Sequence, residues 1–346
     1  MLDMSQVLLT FLSFLSFNIN SIVIGWSTHV NRDTKIYVQP NNVTLLHEPK
    51  DICNEKPLFL LIIVCSSTYN FEQRDAIRKT WANYQNYQKM SQIFNKVREN
   101  YKNYNYTYDL YPLSVKNNSK HKQKRSVGFG ALLPHLAETF KYGDIIQEGF
   151  LDSYNNLTLK SIMMLKWVVN HCQDSVRYIL KTDDDMFINT PNLISTLKNK
   201  SMEFDKKKLG ESEKEYLLIG DLIYGARPVS DSLNKWYSPK YMYSGRVYPR
   251  YLSGTGYALS IHAAKALYDA ALRTAYFHLE DIYITGLCAA RARPHIKAKD
   301  DPGFSYQVPP LLEPCAVYRH VTSHRVPLHS LDWLTRDLMQ DHTVHV

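Results

Sequence analysis

The chain has 346 residues, 45% of them hydrophobic, which is ample for one large α/β domain or two coupled halves. Its 13 glycines and 15 prolines exclude a collagenous or broadly disordered chain, and no internal repeat is present. The net charge of +8 fits either a solvated basic surface or attraction to anionic partners such as nucleotide phosphates and acidic glycans; without zinc-finger spacing, a helix-turn-helix cue or an RNA-binding aromatic motif, nucleic acid is not an expected partner.

In chain order, the first feature is an uncharged stretch from Met4 to Trp26 that includes VLLTFLSFLSF (Val7–Phe17) and SIVIGW (Ser21–Trp26). About 20 apolar residues span a bilayer, so a signal-anchor fits. Asn18 and Asn20 interrupt the run, so a cleaved signal peptide with an eleven-residue apolar core fits as well. Arg32 and Lys35 on the far side oppose the positive-inside tendency of a simple anchor. Both readings of residues 1–26 send the chain into the secretory pathway. The Asn-x-Ser/Thr triplets at Asn42, Asn105, Asn117, Asn156 and Asn199 point to lumenal exposure. Residues 27–56 are polar, contain Pro40 and Pro49, and read as a stem before a globular domain over 57–346.

Five cysteines are present, with no CxxC pair and no zinc-ligand spacing. Cys65 lies in an apolar run and is expected as a free, buried thiol. The other four, Cys53, Cys172, Cys288 and Cys315, allow two bridges in an oxidising compartment, with the pairing open.

Leu58 to Cys65 is a continuous apolar run of strand length, the pattern of a buried parallel strand. A helix is expected next, capped by Asn70, with Ile77 and Trp81 on one face and Arg74 and Arg78 on another. Residues 85–126 are rich in Asn, Tyr, Lys and Gln and read as a solvated loop, with a strand hidden in YDLYPLSV (Tyr108–Val115). Helices are expected over Gly130–Tyr142 and Asn156–Asn170, with strands over Asp144–Gln147 and Val176–Thr182. Thr190 and Pro191 have the chemistry of a helix start. A strand over Tyr216–Gly225 and helices over His262–Leu272 and Asp281–Arg291 complete an alternation that predicts an α/β fold with a mostly parallel central sheet flanked by helices.

Three motifs carry chemistry. KTDDDMFIN (Lys181–Asn189) places three carboxylates directly after a strand, where ligands of open α/β sheets bind. Asp183 and Asp185 are expected to point one way and Asp184 the other. Two convergent carboxylates are costly without a cation between them, and oxygen ligands with open positions suit Mg²⁺ or Mn²⁺ carrying a diphosphate. An acidic turn capping the next helix is the plainer reading. HLEDIYITG (His278–Gly286) sets a Glu-Asp pair at a helix start, either complementing the helix dipole or placing a base at a cleft. YPRYLSGTGYALS (Tyr248–Ser260) has Gly254 and Gly256 around Thr255; it reads as a sugar pocket or, more plainly, as a tight strand turn with core aromatics.

Taken together, RDAIRKTW (Arg74–Trp81), DSYNNLTLK (Asp152–Lys160), YILKTDDDMFIN (Tyr178–Asn189), YPRYLSGTGYALS and EDIYITG (Glu280–Gly286) resemble, in order, the β-1,3-galactosyltransferase family, glycosyltransferase family 31. CAVYRHVTSHRV (Cys315–Val326) is similar to the family's tail, so the resemblance spans roughly residues 57–340. It implies a GT-A fold and an inverting hexosyltransferase that moves galactose from UDP-galactose to a sugar hydroxyl, with β-1,3 linkage, on a glycoprotein or glycolipid glycan. It also implies Mn²⁺ (or Mg²⁺) and a type II Golgi membrane protein with a lumenal catalytic domain. Carried onto this chain, Asp183, Asp184 and Asp185 match the metal and UDP motif, with Asp183 and Asp185 as metal ligands. Asp281 matches the general base, and His324 a late histidine that helps hold the metal. Arg74, Arg78, Asp152 and Lys160 match motifs near the donor. Trp81 is expected to pack, and Asn156 to stay unglycosylated.

The family's FLLG-like strand after the Trp motif is missing from 85–126. UDP-GlcNAc and UDP-GalNAc are the alternative donors, and an inactive lumenal glycan-binding paralogue is the reading from another class. A calcium-binding adhesion module would need repeated acidic loops, and the chain has one.

Overall fold

A computed structural model describes residues 7–14, 30–50, 52–53, 57–83, 85–86, 88–89, 138–207, 210, 212–307 and 319–338. The strand expected at Tyr108–Val115, the triplets at Asn105 and Asn117, and Cys315 lie outside the described residues, as does most of the helix expected over Gly130–Tyr142, of which 138–142 is helical.

The sheet is built on β3 (Leu58–Cys65), which pairs in parallel with β5 (Val176–Asp183). The apolar run predicts a strand covered on both faces, and the structure shows why. Leu61, Ile63 and Cys65 enter one core cluster, whereas Leu60, Ile62 and Val64 enter the other, the two-residue alternation of a strand. Full burial of each such side chain contributes roughly 1.5–3 kcal/mol. One cluster lies under α3 (Leu157–Cys172) and α5 (Ile261–Ala271); the other lies under α2 (Phe71–Lys79) and α4 (Thr190–Lys207), with α6 (Leu328–Leu338) beside α2. Ile77 and Trp81 share the second cluster, as their spacing predicts, and Trp81 is fully buried packing.

The eight-stranded sheet runs β2-β4-β1-β3-β5-β8-β7-β9, adding β1 (Val7–Phe14), β2 (Leu45–His47), β4 (Ile145–Glu148), β7 (Leu218–Ile223), β8 (Tyr251–Ser260) and β9 (Lys299–Asp300). Its first half is mostly parallel, and the mixed α/β architecture is the one expected. Strand β8 departs from expectation. YPRYLSGTGYALS was expected to hold a tight turn, but Tyr251–Ser260 is one ten-residue strand antiparallel to both β5 and β7. Gly220 permits the close approach of β7 to β8: a Cβ there would sit 3.2 Å from the Gly256 carbonyl oxygen.

The N-terminal segment contributes a strand. Val7–Phe14, expected within a signal-anchor or signal peptide, is strand β1, paired in parallel from Val7↔Leu60 to Leu12↔Cys65 and from Phe11↔Ile145 to Phe14↔Glu148. The slot between β3 and β4 demands a short apolar strand, and this segment supplies one. Among the described residues no helix is long and apolar enough to cross a membrane.

The segment read as a stem is folded onto the domain. Arg32 donates to the carbonyls of Tyr276, Tyr241 and Met242, and Lys166 of α3 gathers the carbonyls of Val38, Gln39 and Asn42 with the Thr44 hydroxyl. Cys53 is disulfide-bonded to Cys172. Cys65 is free and buried as expected; Cys288 is free and buried too, so one bridge rather than two is present among the described cysteines. Asn156 is buried with its amide on the Leu151 carbonyl, whereas Asn42 and Asn199 are exposed.

Candidate functional site

Strand β5 ends at Asp183, and the next two aspartates turn into β6 (Met186–Ile188). β6 pairs antiparallel with β10 (Thr322–His324) in the register His324↔Met186, which brings the tail to the aspartate cluster. His324 Nε2 lies 3.4 Å from Asp185 Oδ2, while its Nδ1 is 2.9 Å from the Tyr306 carbonyl oxygen. Nδ1–H donates to that carbonyl, so Nε2 faces Asp185, where it donates to the carboxylate when it carries a proton and offers a lone pair to a cation when it does not. Burial pushes the Asp185 carboxyl up, but the hydrogen bond and charge of His324 outweigh it and leave the carboxyl below its ordinary range.

Asp183 and Asp184 diverge, as alternation predicts. Burial pushes Asp183 up to about 6, against the opposing charge of Lys181, whose Nζ donates to Asp183 Oδ1 at 2.7 Å. Asp184 turns the other way, accepting from Asn70 Nδ2 at 2.8 Å. This overturns the cap expected of Asn70: its side chain makes no cap bond to α2 because it is committed to Asp184. Similarly, the start of α4 is capped by Asn189, whose Oδ1 accepts from Asn192 N at 3.2 Å, rather than by Thr190.

Across the cleft, Asp281 heads a π-helix, Ile282–Cys288, where an α-helix was expected, and its Oδ1 accepts from Ile282 N at 2.8 Å. Burial, with the charge of Glu280 adding to it, pushes the Asp281 carboxyl up to about 7. Glu280 is buried and fixed: its Oε1 accepts from Ser161 Oγ and Tyr257 OH, both at 2.8 Å. Its Oε2 lies 3.7 Å from Lys181 Nζ, which also donates to the Gly254 carbonyl at 2.5 Å. Lys181 is therefore the link between the aspartate cluster and the Glu280–Asp281 pair. Burial alone would lower its ammonium, but Asp183 and Glu280 raise it, so it stays charged. Gly254 explains the need for glycine here, since a Cβ would stand 3.1 Å from Glu280 Oε2 and 3.3 Å from Asp281 Cβ.

The residues expected near the donor sit behind the cluster. Lys160 donates to Asp152 Oδ1 at 2.9 Å and to the Ser66 carbonyl at 3.0 Å. Arg74 is fully buried and bonds to Glu138, Ser66 Oγ and the carbonyls of Ser67 and Thr68. Arg78 bonds to Glu138 and to both oxygens of Asp144. Arg74 thus ties α2 to the loop after β3, and Arg78 ties it to Glu138 and Asp144.

Among the described residues no group of three or more His, Cys, Asp or Glu converges into a metal cage. The Asp185–His324 pair nevertheless fits Mn²⁺. It offers one carboxylate and one imidazole whose second nitrogen is held by a carbonyl, and such ions commonly take one or two protein ligands and complete their shell with water and phosphate. Asp183 Oδ1 accepts from Lys181, and the charge of Asp185 acts on the Asp183 carboxyl.

Sequence reading missed Lys181, Ser161 and Tyr257. Lys181 was within reach, because two residues apart on β5 it shares a face with Asp183. Ser161 and Tyr257 meet Glu280 only through packing of α3 and β8, which no local pattern encodes.

Comparison with known proteins gives a match to the galactosyltransferase family model over residues 133–300. The chain is 33% identical to lactosylceramide 1,3-N-acetyl-beta-D-glucosaminyltransferase B of Danio rerio, over 70% of this chain and 56% of that protein. It is 32% identical to beta-1,3-galactosyltransferase 2 of Homo sapiens, over 72% of this chain and 51% of that protein. It is 31% identical to beta-1,3-galactosyltransferase 1 of Mus musculus, over 75% and 68%. The chain thus spans about half the length of the first two relatives and two thirds of the third.

Proposed function

We propose, from the premise that this chain belongs to the β-1,3-galactosyltransferase family, that it is an inverting hexosyltransferase that moves galactose from UDP-galactose to a sugar hydroxyl in β-1,3 linkage. The observation that carries this reading is the Lys181 bridge. One ammonium reaches both Asp183 and Glu280, which supports a site shared by the aspartate cluster and the neighbouring Asp281.

Inversion requires the acceptor oxygen to attack the anomeric carbon from the face opposite the diphosphate, with a base to take its proton. Asp281, pushed up to about 7, is half ionised near neutral pH and basic enough for that proton. The new bond forms between the acceptor oxygen and the anomeric carbon, the bond to UDP breaks, and the proton rests on Asp281. Glu280, whose charge adds to the rise of Asp281, is held in place by Ser161 and Tyr257. Asp185 and His324 would hold the divalent ion, which when bound neutralises charge on the diphosphate. Fixing donor and acceptor in line supplies much of the remaining acceleration.

The relatives include both galactosyl- and N-acetylglucosaminyltransferases, so UDP-GlcNAc is the second donor to test. We further propose a lumenal, Golgi membrane location acting on glycoprotein or glycolipid glycans. The Cys53–Cys172 disulfide favours an oxidising compartment. The test is a donor screen of the purified chain with UDP-galactose, UDP-GlcNAc and UDP-GalNAc, with Mn²⁺ and a panel of sugar acceptors, followed by linkage analysis. Glycan binding indifferent to UDP and Mn²⁺, without transfer from any donor, would instead identify an inactive glycan-binding protein.

A further inference from the structure

Asp281 heads the π-helix Ile282–Cys288, a rare form that occurs mostly at functional sites. Five residues earlier, Tyr276 anchors the approach to that helix. Its side chain is fully buried, with its ring centroid 6.5 Å from that of Tyr283 in the π-helix and 6.4 Å from that of Tyr37 in α1 (Thr34–Val38). Its hydroxyl donates to the Asn155 carbonyl at 2.6 Å. Its backbone is held by Arg32. Tyr276 N donates to the Arg32 carbonyl at 2.8 Å, and Arg32 Nε donates back to the Tyr276 carbonyl at 2.9 Å.

The same guanidinium reaches a second segment, the long connection between β7 and β8. Nη2 donates to the Met242 carbonyl at 2.8 Å and Nη1 to the Tyr241 carbonyl at 3.2 Å. Both carbonyls lie in a turn closed by Met242 N and Tyr243 N on the Pro239 oxygen. All three nitrogens of the fork are thus spent on the backbone of two segments that lie 209 to 244 residues away in sequence. Side chains join the same segments: the Phe277 ring packs 6.0 Å from Tyr243 and 5.9 Å from Tyr248, centroid to centroid. A planar fork fixes three acceptors relative to one another, which a point charge on a flexible stem does not. Thr34, two residues further on, donates instead to the carbonyl of Ala271, the last residue of α5.

We propose that Arg32 is a positioning residue for the transfer reaction: it locks the Tyr276–Asp281 stretch against the β7–β8 connection. A segment that reads as a stem is then a working part of the site. This deepens the hexosyl-transfer reading and rests on it. A general base acts only within hydrogen-bond reach of the acceptor hydroxyl, and misplacement by an ångström costs up to about 10²-fold in rate. Arg32 acts through Tyr276 and the turn at Tyr241–Met242, and not on the reacting atoms.

The test compares wild type with Arg32→Met, Arg32→Lys and Thr34→Val in the full chain. Thr34→Val breaks the bond from α1 to α5 and controls for loosening of this segment alone. Arg32→Met is expected to lower kcat about tenfold or more while UDP affinity in Mn²⁺ stays unchanged. Arg32→Lys keeps the charge without the fork, so it should lose kcat in the same direction by a smaller factor, and it carries the test if the Met variant does not fold. Thr34→Val should keep the wild-type kcat. Hydrogen exchange read by mass spectrometry should be faster in Arg32→Met over 239–243 and 276–283, and unchanged there in Thr34→Val. Wild-type kcat in both arginine variants, an equal loss of kcat in Thr34→Val, or unchanged exchange at both segments overturns the assignment. If wild type transfers no sugar from any donor, the hexosyl-transfer reading fails, and the exchange comparison alone decides whether Arg32 locks the two segments together.

Discussion

Lys181 Nζ lies 2.7 Å from Asp183 Oδ1 and 3.7 Å from Glu280 Oε2, so the lysine and the glutamate form a buried cross-link between the two halves of the cleft. Each carboxylate therefore senses the other half, and the titration of Asp281 is a property of the assembly.

Asp281 is pushed up to about 7, in part by the charge of Glu280. A base must be ionised, so kcat/KM is expected to rise with pH along a limb near 7. Glu280→Gln removes the neighbouring charge, so the limb should move to lower pH. A pH–rate profile checks both, and an unmoved limb separates Glu280 from the base.

Replacing the base gives a paired outcome. Asp281→Asn should lower kcat by about 10²–10⁴-fold while UDP binding stays within a few-fold of wild type. The raised carboxyl holds its proton more tightly in the folded than in the unfolded chain. Its contribution to stability is present at low pH and lost as pH rises through about 7. Asn needs no ionisation and caps a helix as well as Asp does. The variant should therefore melt above wild type at pH 8 and near it at pH 4. A fall in melting temperature at pH 8 would show that Asp281 is held by contacts beyond its cap.

Asp185→Ala and His324→Ala each remove half of the pair proposed to hold the ion. Calorimetry of UDP with and without Mn²⁺ should show the Mn²⁺-dependent part of binding lost in both. Chelation should abolish wild-type turnover, and added Mn²⁺ should restore it.

Arg74 gives the contrasting case. It is fully buried against Glu138. Arg74→Met should destabilise the fold by about 3–5 kcal/mol, because it strips one partner from a buried ion pair. Denaturant unfolding measures that loss. The variant molecules that remain folded should keep a near-normal donor KM, whereas a direct donor contact would raise it.

Gly254→Ala tests the crowding beside the base. The added Cβ would meet Glu280 Oε2 at 3.1 Å and Asp281 Cβ at 3.3 Å. Displacement of the base by a few tenths of an ångström should reduce kcat about tenfold or more, with a smaller effect on donor affinity. Unchanged kcat would show that Asp281 has slack.

Much of the fold was legible because its signals are local. The apolar run at Leu58–Cys65, the helical spacing of Leu157, Ser161, Met164 and Leu165, and the strand before Asp183 each encode their own element. What escaped depends on distant partners. Asn70 looks like a cap until Asp184 claims its amide. Gly254 and Gly256 look like a turn until β5 and β7 on either side hold the chain extended. Val7–Phe14 is apolar enough for a membrane or a sheet interior, and hydropathy alone does not choose between them. The candidate site followed the same rule. The aspartate cluster and Asp281 stand out as motifs, and Lys181 is legible as a neighbour of Asp183, but its reach to Glu280 emerges only from the fold.

The Cys53–Cys172 bridge closes a loop of 119 residues that carries β3, α2, β4 and most of α3. A protease that cuts this loop once leaves two fragments still tethered through sulfur. The nicked protein would migrate as a single species until a reductant separates it, so a trimmed preparation passes unnoticed on a gel run without thiol.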